Sequence, residues 1–266
     1  MASHVARPGT RVKRHEFFVM SFSPDEVERY ARHLVLREIG GPGQQKLKAA
    51  RVLVVGVGGL GAPAALYLAA AGVGTLGLVD ADTVSLSNLQ RQVLFATADT
   101  GRPKVEAAAE HLAALNPHLT VETHPVWLGE ANARAVISGY DLVLDGTDDF
   151  ATRFAVSDAC LAEGKTLVSG ALGRWTGQVG VFQGQPCYRC LVPEIPPDAE
   201  TCALVGVVGA LAGVIGAMMA LEAVKTLTGA GHTLAGRLLI YDALAAETRT
   251  VRIGADPACP SCGGKV

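Results

Sequence analysis

The chain has 266 residues, 49% of them hydrophobic and 18% charged, with a formal net charge of −2 and a mean hydropathy of +0.29. That apolar balance excludes general disorder and provides enough chain for a substantial core. The near-neutral charge gives no global field for nucleic acid or an acidic membrane, so neither is expected as a partner.

Residues 1–20 differ from the rest. They carry Arg7, Arg11, Lys13 and Arg14 but no apolar run of signal-peptide type. A disordered extension is expected there, with a basic arm as the alternative, and 21–266 is expected to form one domain. "SPDEVERYARHLVLREIG" opens with Ser23 followed three residues on by Glu26, a capping-box pattern that predicts a helix ahead of the sheet.

Apolar strands then alternate with helical patterns. Strands are expected at 51–56, 75–80, 119–124, 141–145 and 166–170, and helices at 61–72, 103–115, 130–138 and 151–163. This alternation predicts a Rossmann-like α/β fold, a mostly parallel sheet with helices on both faces. After Gly173 the connections shorten. "QVGVF", "RLLIYDAL" and "ETRTVRI" are expected to extend the same sheet as antiparallel strands. The stretch 203–221 is long and uncharged. It reads as a membrane span by length, but its Gly and Ala content and the adjoining Glu222 and Lys225 suit a buried helix.

The chemistry concentrates at strand ends. "VLVVGVGGLGAP" places Gly56 at a tight turn, Gly58 where backbone approaches a phosphate, and Gly61 where a helix packs on the strand. The helix N-terminus offers free N–H groups to an anion, and Asp80 closes the next strand, placed for ribose hydroxyls. A nicotinamide cofactor and a different nucleotide both fit this fingerprint. "LSNLQRQ" and "GRPK" then supply Asn88, Arg91 and Lys104, an amide and two cations that suit a triphosphate. "VLDGTDDF" crowds Asp145, Asp148 and Asp149 at a third strand end. Clustered carboxylates repel, so a cation such as Mg²⁺ is expected there, with helix capping by Asp148 or Asp149 as the other role. No histidine pattern suggests an acid–base partner for hydride transfer.

"CYRC" and "CPSC" give two C-x-x-C knuckles. Cys187, Cys190, Cys259 and Cys262 are expected to form a closed, structural Zn²⁺ site, disulfides being the rival pairing. Cys160 reads as a buried small hydrophobe. Cys202 lies just ahead of the apolar stretch, where a helix N-terminus would raise its thiolate character.

The ordered motifs "RYARHLVLREIG", "VGVGGLGAPAALYLAAAGVG", "LVDADTVSLSNLQRQ", "GRPKVEAA", "NPHL", "DLVLDGTDDFATR", "SGA", "GQVGVF", "CYRCL", "GVIG", "YDA" and "CPSCG" span residues 23–264. Together they resemble the ubiquitin-activating-enzyme-like family of MoeB/ThiF type. The resemblance implies ATP-dependent adenylation of the C-terminal glycine of a small ubiquitin-fold sulfur carrier ending in Gly-Gly. By matching motif it implies that Gly59 approaches the nucleotide, that Asn88, Arg91 and Lys104 bind its phosphates, and that Ser87, Leu89 and Gln90 belong to the same cofactor-binding stretch. Asp148 and Asp149 would lie beside Mg²⁺, and Asp80 would hold the ribose. Arg32 resembles an arginine that reaches the phosphates from a partner subunit, which implies a homodimer. Cys202 matches a crossover-loop cysteine that forms a covalent carrier adduct in some relatives. Asp149 stands where the family usually has Asn, and His33 where Gln is common. No rhodanese-like segment follows Cys262, so a separate sulfur donor protein is expected. A cytoplasmic location is expected, since the sequence offers no secretion signal, and a reducing cytoplasm disfavours the disulfide pairing.

Overall fold

In the computed structural model, residues 22–195 and 206–263 are described. Three short helices come first: α1 (Pro24–Arg29), α2 (Ala31–Leu34) and α3 (Gly40–Ala49). The Ser23–Glu26 capping box forms as expected, with Ser23 N–H donating to Glu26 Oε2 at 2.8 Å and Glu26 N–H donating to Ser23 Oγ at 3.2 Å. The helix expected beyond it is interrupted at Tyr30, because that ring turns inward and is 4% exposed. Its hydroxyl accepts a hydrogen bond from Asn116 Nδ2 at 2.9 Å. The Gly- and Pro-rich α3 carries no sequence signature of a helix.

The sheet has eight strands in the order β3-β2-β1-β4-β5-β6-β7-β8. Their spans are β1 (Arg51–Val55), β2 (Thr75–Val79), β3 (Thr120–His124), β4 (Leu142–Asp145), β5 (Thr166–Leu172), β6 (Thr176–Phe182), β7 (Arg237–Asp242) and β8 (Glu247–Arg252). The first five pair in parallel, and β6, β7 and β8 add on antiparallel, as expected. The strand order reverses between β1 and β4. A crevice opens at that switch point, outside the carboxyl ends of the strands.

Helices α4 (Gly61–Ala71), α5 (Lys104–Leu115), α6 (Ala133–Ile137) and α7 (Phe150–Ala162) connect the parallel strands. Helix α6 is shorter than the expected 130–138, because Asn132 is committed to the loop before it. Its Oδ1 accepts from Gly129 N–H and its Nδ2 donates to the Trp127 carbonyl, both at 2.9 Å. After β6 come α8 (Tyr188–Leu191) and α9 (Gly209–Thr228). Helix α9 is long and apolar enough to cross a membrane. Here its Leu211, Ile215 and Met219 are buried against α4, β5 and β6. Its embedded Glu222 is satisfied by Leu234 N–H at 2.8 Å and by Lys225.

The N-terminal helices are pinned to the C-terminal end of α4. Asn116 Nδ2 donates to the Ala69 carbonyl and Gln44 Nε2 to the Ala71 carbonyl, each at 2.7 Å, meeting carbonyls that a helix end leaves open. Gly72 caps α4 at φ +86°, and a Cβ there would lie 2.6 Å from both Gln44 Nε2 and Tyr30 Cζ. Gly72→Ala is therefore expected to cost about 2–3 kcal/mol through strain and overpacking. Thermal unfolding checks it, and an unchanged melting temperature would show that the joint is loose.

Candidate active site

Side chains from four strand ends converge on a cavity of about 470 Å³ at the switch point. The glycine loop forms one wall. Gly56 takes φ +81°, and a Cβ on Gly61 would sit 1.9 Å from the Gly56 carbonyl oxygen, so only glycine lets α4 start this close to β1. Gly56, Gly58 and Gly59 line the cavity, whereas Gly61 lies behind them as the packing residue.

Asp80 stands at the end of β2. Its Oδ2 accepts from Val57 N–H and its Oδ1 from Asp82 N–H, each at 2.9 Å. Burial pushes its carboxyl above the ordinary aspartate range, against the pull of Lys104 and these N–H groups. Lys104 Nζ is buried at the start of α5, donates to Asp82 Oδ2 at 2.7 Å and lies 3.8 Å from Asp80 Oδ2. An ammonium carries three donors, so this clamp leaves capacity for a ligand oxygen. Asp82 escaped sequence reading; its one signal is its place two residues beyond Asp80.

The expected crowd of three carboxylates is resolved by the protein itself for two of them. Asp145, 1% exposed, accepts from Thr147 Oγ1 at 2.6 Å and Ser169 Oγ at 3.0 Å. Its counter-ion is the buried Arg153, 3.7 Å away, so no metal is needed there. Arg153 also donates to the carbonyls of Gly170, at 2.9 Å, and of Thr147. Burial opposes its charge, but Asp145 and Tyr188 outweigh it and hold its pKa above the usual arginine value. Asp149 caps α7 by accepting from Thr152 N–H at 2.7 Å. Burial resists its ionisation, yet the Thr152 and Ala151 N–H groups and the Thr152 hydroxyl bring its pKa below the ordinary value. Asp148 remains, exposed on the cavity wall.

Asn88, Arg91 and Lys104 reach the cavity together, and Asp149 borders it. Ser87, Leu89 and Gln90 do not line it; Ser87 meets Arg91 through its carbonyl at 3.2 Å, and Gln90 packs at the start of α9 beside Gly209. Arg32 is exposed on α2, outside the cavity of its own chain. Cys202 lies outside the described residues. Trp127, Thr147, Gln92, Gln178 and Arg153 line the cavity without having been singled out beforehand. Arg153 carried a weak signal, four residues after the capping Asp149. No histidine is among the described cavity residues.

The four knuckle thiols meet beside α7, where Leu161 packs against them. All four sulfurs lie within 4.8 Å of one another, with Cys187 and Cys259 Sγ 3.6 Å apart and Cys190 and Cys262 Sγ 3.4 Å apart. A disulfide needs about 2.05 Å. A tetrahedron built on metal–sulfur bonds of about 2.3 Å has edges near 3.8 Å, so the donor set fits one zinc-sized ion with no open position. Burial works against the Cys259 thiolate, but the N–H groups of Cys262 and Ser261 and the facing thiols outweigh it and lower its pKa to about 7. Around the knuckles, Arg189 grips Asp158 of α7 at 2.8–3.1 Å and stacks 4.1 Å over Phe154. Ser261 Oγ donates to the same carboxylate at 2.6 Å.

Fold and site together define a Rossmann-like α/β protein with a glycine-loop cavity at its switch point and a cluster of four cysteines whose spacing fits a metal ion. Residues 30–261 match the model of the ThiF family, and the chain belongs to it. It is 48% identical over 253 residues to the sulfur carrier protein adenylyltransferase of Thermus thermophilus, covering 92% of this chain and 93% of that one. It is 46% identical over 244 residues to the molybdopterin-synthase adenylyltransferase of Escherichia coli, covering 91% and 98%. Among solved structures, E. coli MccB with MccA-N7isoASN superposes with a TM-score of 0.80 at 21% identity, over 90% of this chain and 75% of that one, a likeness of fold.

Removing the guanidinium from Arg153 leaves Asp145 buried without its counter-ion. Arg153→Met is expected to cost about 3–5 kcal/mol, with part of the loss recovered in the Arg153→Met, Asp145→Asn double variant. Urea unfolding measures both, and a single-variant loss below about 1 kcal/mol would show that the pair is not interdependent.

Proposed function

We propose that this chain is an adenylyltransferase that uses ATP to activate the C-terminal glycine carboxylate of a small ubiquitin-like sulfur carrier. The observation that carries the reading is the convergence of Asp80, Asn88, Arg91, Lys104 and Asp148 on one cavity at the glycine loop. Family membership and relatives named as adenylyltransferases over nine-tenths of the chain support the same activity.

The carrier carboxylate oxygen attacks the α-phosphorus of ATP. A bond forms between them, the bond from the α-phosphorus to the bridging oxygen breaks, and pyrophosphate leaves with that electron pair. The product is a carrier acyl-adenylate. The nucleophile is already an anion, so no general base is needed. Catalysis then rests on positioning and on neutralising charge.

Asp80 receives the ribose hydroxyls, and the glycine loop and α4 N-terminus face the phosphates. Asn88 and Arg91 hold phosphate oxygens, and Lys104 turns a donor toward them from its carboxylate clamp. Asp148 would hold Mg²⁺, which supplies charge neutralisation on the polyphosphate. Arg32, exposed and remote from its own cavity, would serve the partner subunit's site in a homodimer. Cys202 would form a covalent adduct with the carrier, and a separate protein would donate sulfur. The thiol cluster would hold a structural Zn²⁺, as suits a reducing cytoplasm. Residues 21–266 would act as one domain, with 1–20 as an extension outside it. Molybdopterin, thiamine, thiolated-tRNA and cysteine pathways all use carriers of this kind.

ATP–pyrophosphate exchange with purified Gly-Gly-ended carriers and their tail-truncated versions tests the activity. Exchange is expected with one intact carrier only and should fall at least about 100-fold in Asp148→Ala, the order lost with one electrostatic contact in a transition state. No exchange with any carrier would overturn the adenylation reading, and full exchange in Asp148→Ala would remove Asp148 from it. Separately, purified protein should carry one zinc ion per chain by elemental analysis. Cys259→Ser should lose the zinc and lower the melting temperature, because the remaining thiolates lose their common partner. Zinc-free protein that melts unchanged would count against a structural metal.

A further inference from the structure

A second cavity, of about 540 Å³, lies at the end of the sheet opposite the candidate active site. It is bordered by Gln183 just past β6, Lys225 of α9, His232 and Thr233 of the loop that follows, and Arg237 at the start of β7. Gln183 donates to Thr166 Oγ1 at 3.3 Å, at the amino end of β5, whereas the glycine-loop crevice opens at the carboxyl ends of the parallel strands. The cavity has the volume of a small-molecule site, but its wall is polar and basic.

The fold holds two like charges side by side there. Arg237 of β7 and Arg252 of β8 are cross-strand partners in the antiparallel register, so both side chains leave the sheet on one face. Such partners have Cβ atoms about 5 Å apart, and like charges directly opposite each other destabilise a strand pair. Neither guanidinium meets a carboxylate among the described residues. Arg237 donates to the Thr233 carbonyl, which occupies one of its donors and compensates no charge. Lys225 adds a third cation, paired with Glu222 and donating to the His232 carbonyl at 3.0 Å. Glu222 is itself buried and committed to Leu234 N–H at 2.8 Å. Three cations against one carboxylate leave two positive charges around the cavity. The negative end of α9 does not cancel them, because its Thr228 carbonyl is met by a further cation, Lys46 Nζ, at 2.9 Å.

We propose that this cavity is a phosphate-binding site, remote from the glycine loop, in which Arg237 and Arg252 jointly hold the phosphate group of a small molecule. A phosphate carries close to two negative charges at neutral pH, which matches the charge around the cavity. It also presents enough oxygens for two planar guanidinium forks at once. A carboxylate brings about half that charge and is filled by one fork. An anion seated between the two arginines relieves the repulsion that the strand pair otherwise carries, and that relief returns as affinity. The assignment is independent of the nucleotide reading above.

Arg252→Glu tests it, because Arg252 is exposed and the substitution converts the like-charge pair into an ion pair. This variant is expected to melt no lower than the wild type. It should bind inorganic phosphate at least about tenfold more weakly, the scale of one hydrogen bond to a charged group. Arg91→Gln, on the wall of the glycine-loop cavity, is expected to retain the binding. Titration calorimetry of the full-length proteins with inorganic phosphate reads both, at an ionic strength held constant with sodium chloride. Glycerol phosphate then distinguishes the source: tighter binding than inorganic phosphate assigns a phosphate ester, and weaker binding assigns the free ion. A wild type that takes up no phosphate, or an unchanged affinity in Arg252→Glu, overturns the proposal. Binding lost in Arg91→Gln and kept in Arg252→Glu would move the phosphate to the glycine-loop cavity and overturn it equally.

Discussion

The site depends on one buried charge. Arg153, anchored in α7, answers the carboxylate of Asp145 at the end of β4 and donates to the carbonyls of Thr147 and Gly170. Those contacts fix the turn 145–149 against the end of β5. The turn in turn carries Asp148 into the cavity and sets Asp149 as the cap of α7. A buried ion pair is weak as a source of net stability, since desolvation offsets much of its attraction. Its value here is geometric, because a guanidinium with a carboxylate and two carbonyls to satisfy accepts very few arrangements.

The thiol cluster extends the same constraint. Cys187 is followed directly by Tyr188, whose ring packs edge-on against Phe154 and Phe182 and whose side chain borders the cavity. Asp158, two turns along α7 from the capping end, is gripped by Arg189 and Ser261, one residue from each knuckle. The knuckles therefore hold α7 at Asp158 while Asp145 holds its first turn at Arg153. A cluster with no place in the reaction still bears on where Arg153 sits.

The parts of this arrangement legible in sequence were those that obey local rules. Glycine spacing, the β-α alternation, the Ser23–Glu26 box and the paired knuckles each state a backbone or donor requirement within a few residues. The parts that were not legible are those decided across the fold. Tyr30 interrupts the first helix because Asn116, far along the chain, offers its amide. Asp145 counted toward a crowd of three carboxylates calling for a cation because its partner, Arg153, is read in sequence as one more charge on a helix. Ser87, Leu89 and Gln90 share a motif with Asn88 and Arg91, but the tight turns after 86–88 aim only some of that run at the cavity. Spacing gives membership of a motif; the turn decides which members face the ligand.

The cavity's charge balance then separates the carboxylates by role. Asp145 is neutralised by Arg153 and Asp149 by helix N–H groups, so neither has much free negative charge to offer a ligand. Asp80 and Asp82 share the one buried ammonium of Lys104, which leaves that corner with carboxylate in excess and suited to hydroxyls. Asp148 and Asp149 are both exposed on the cavity wall, but Asp149 is held by the Thr152 N–H as a helix cap, which leaves Asp148 the freer carboxylate of the turn. One acidic side chain, left over after the fold has satisfied its neighbours, thus sets the charge that this wall presents to whatever enters beside the glycine loop.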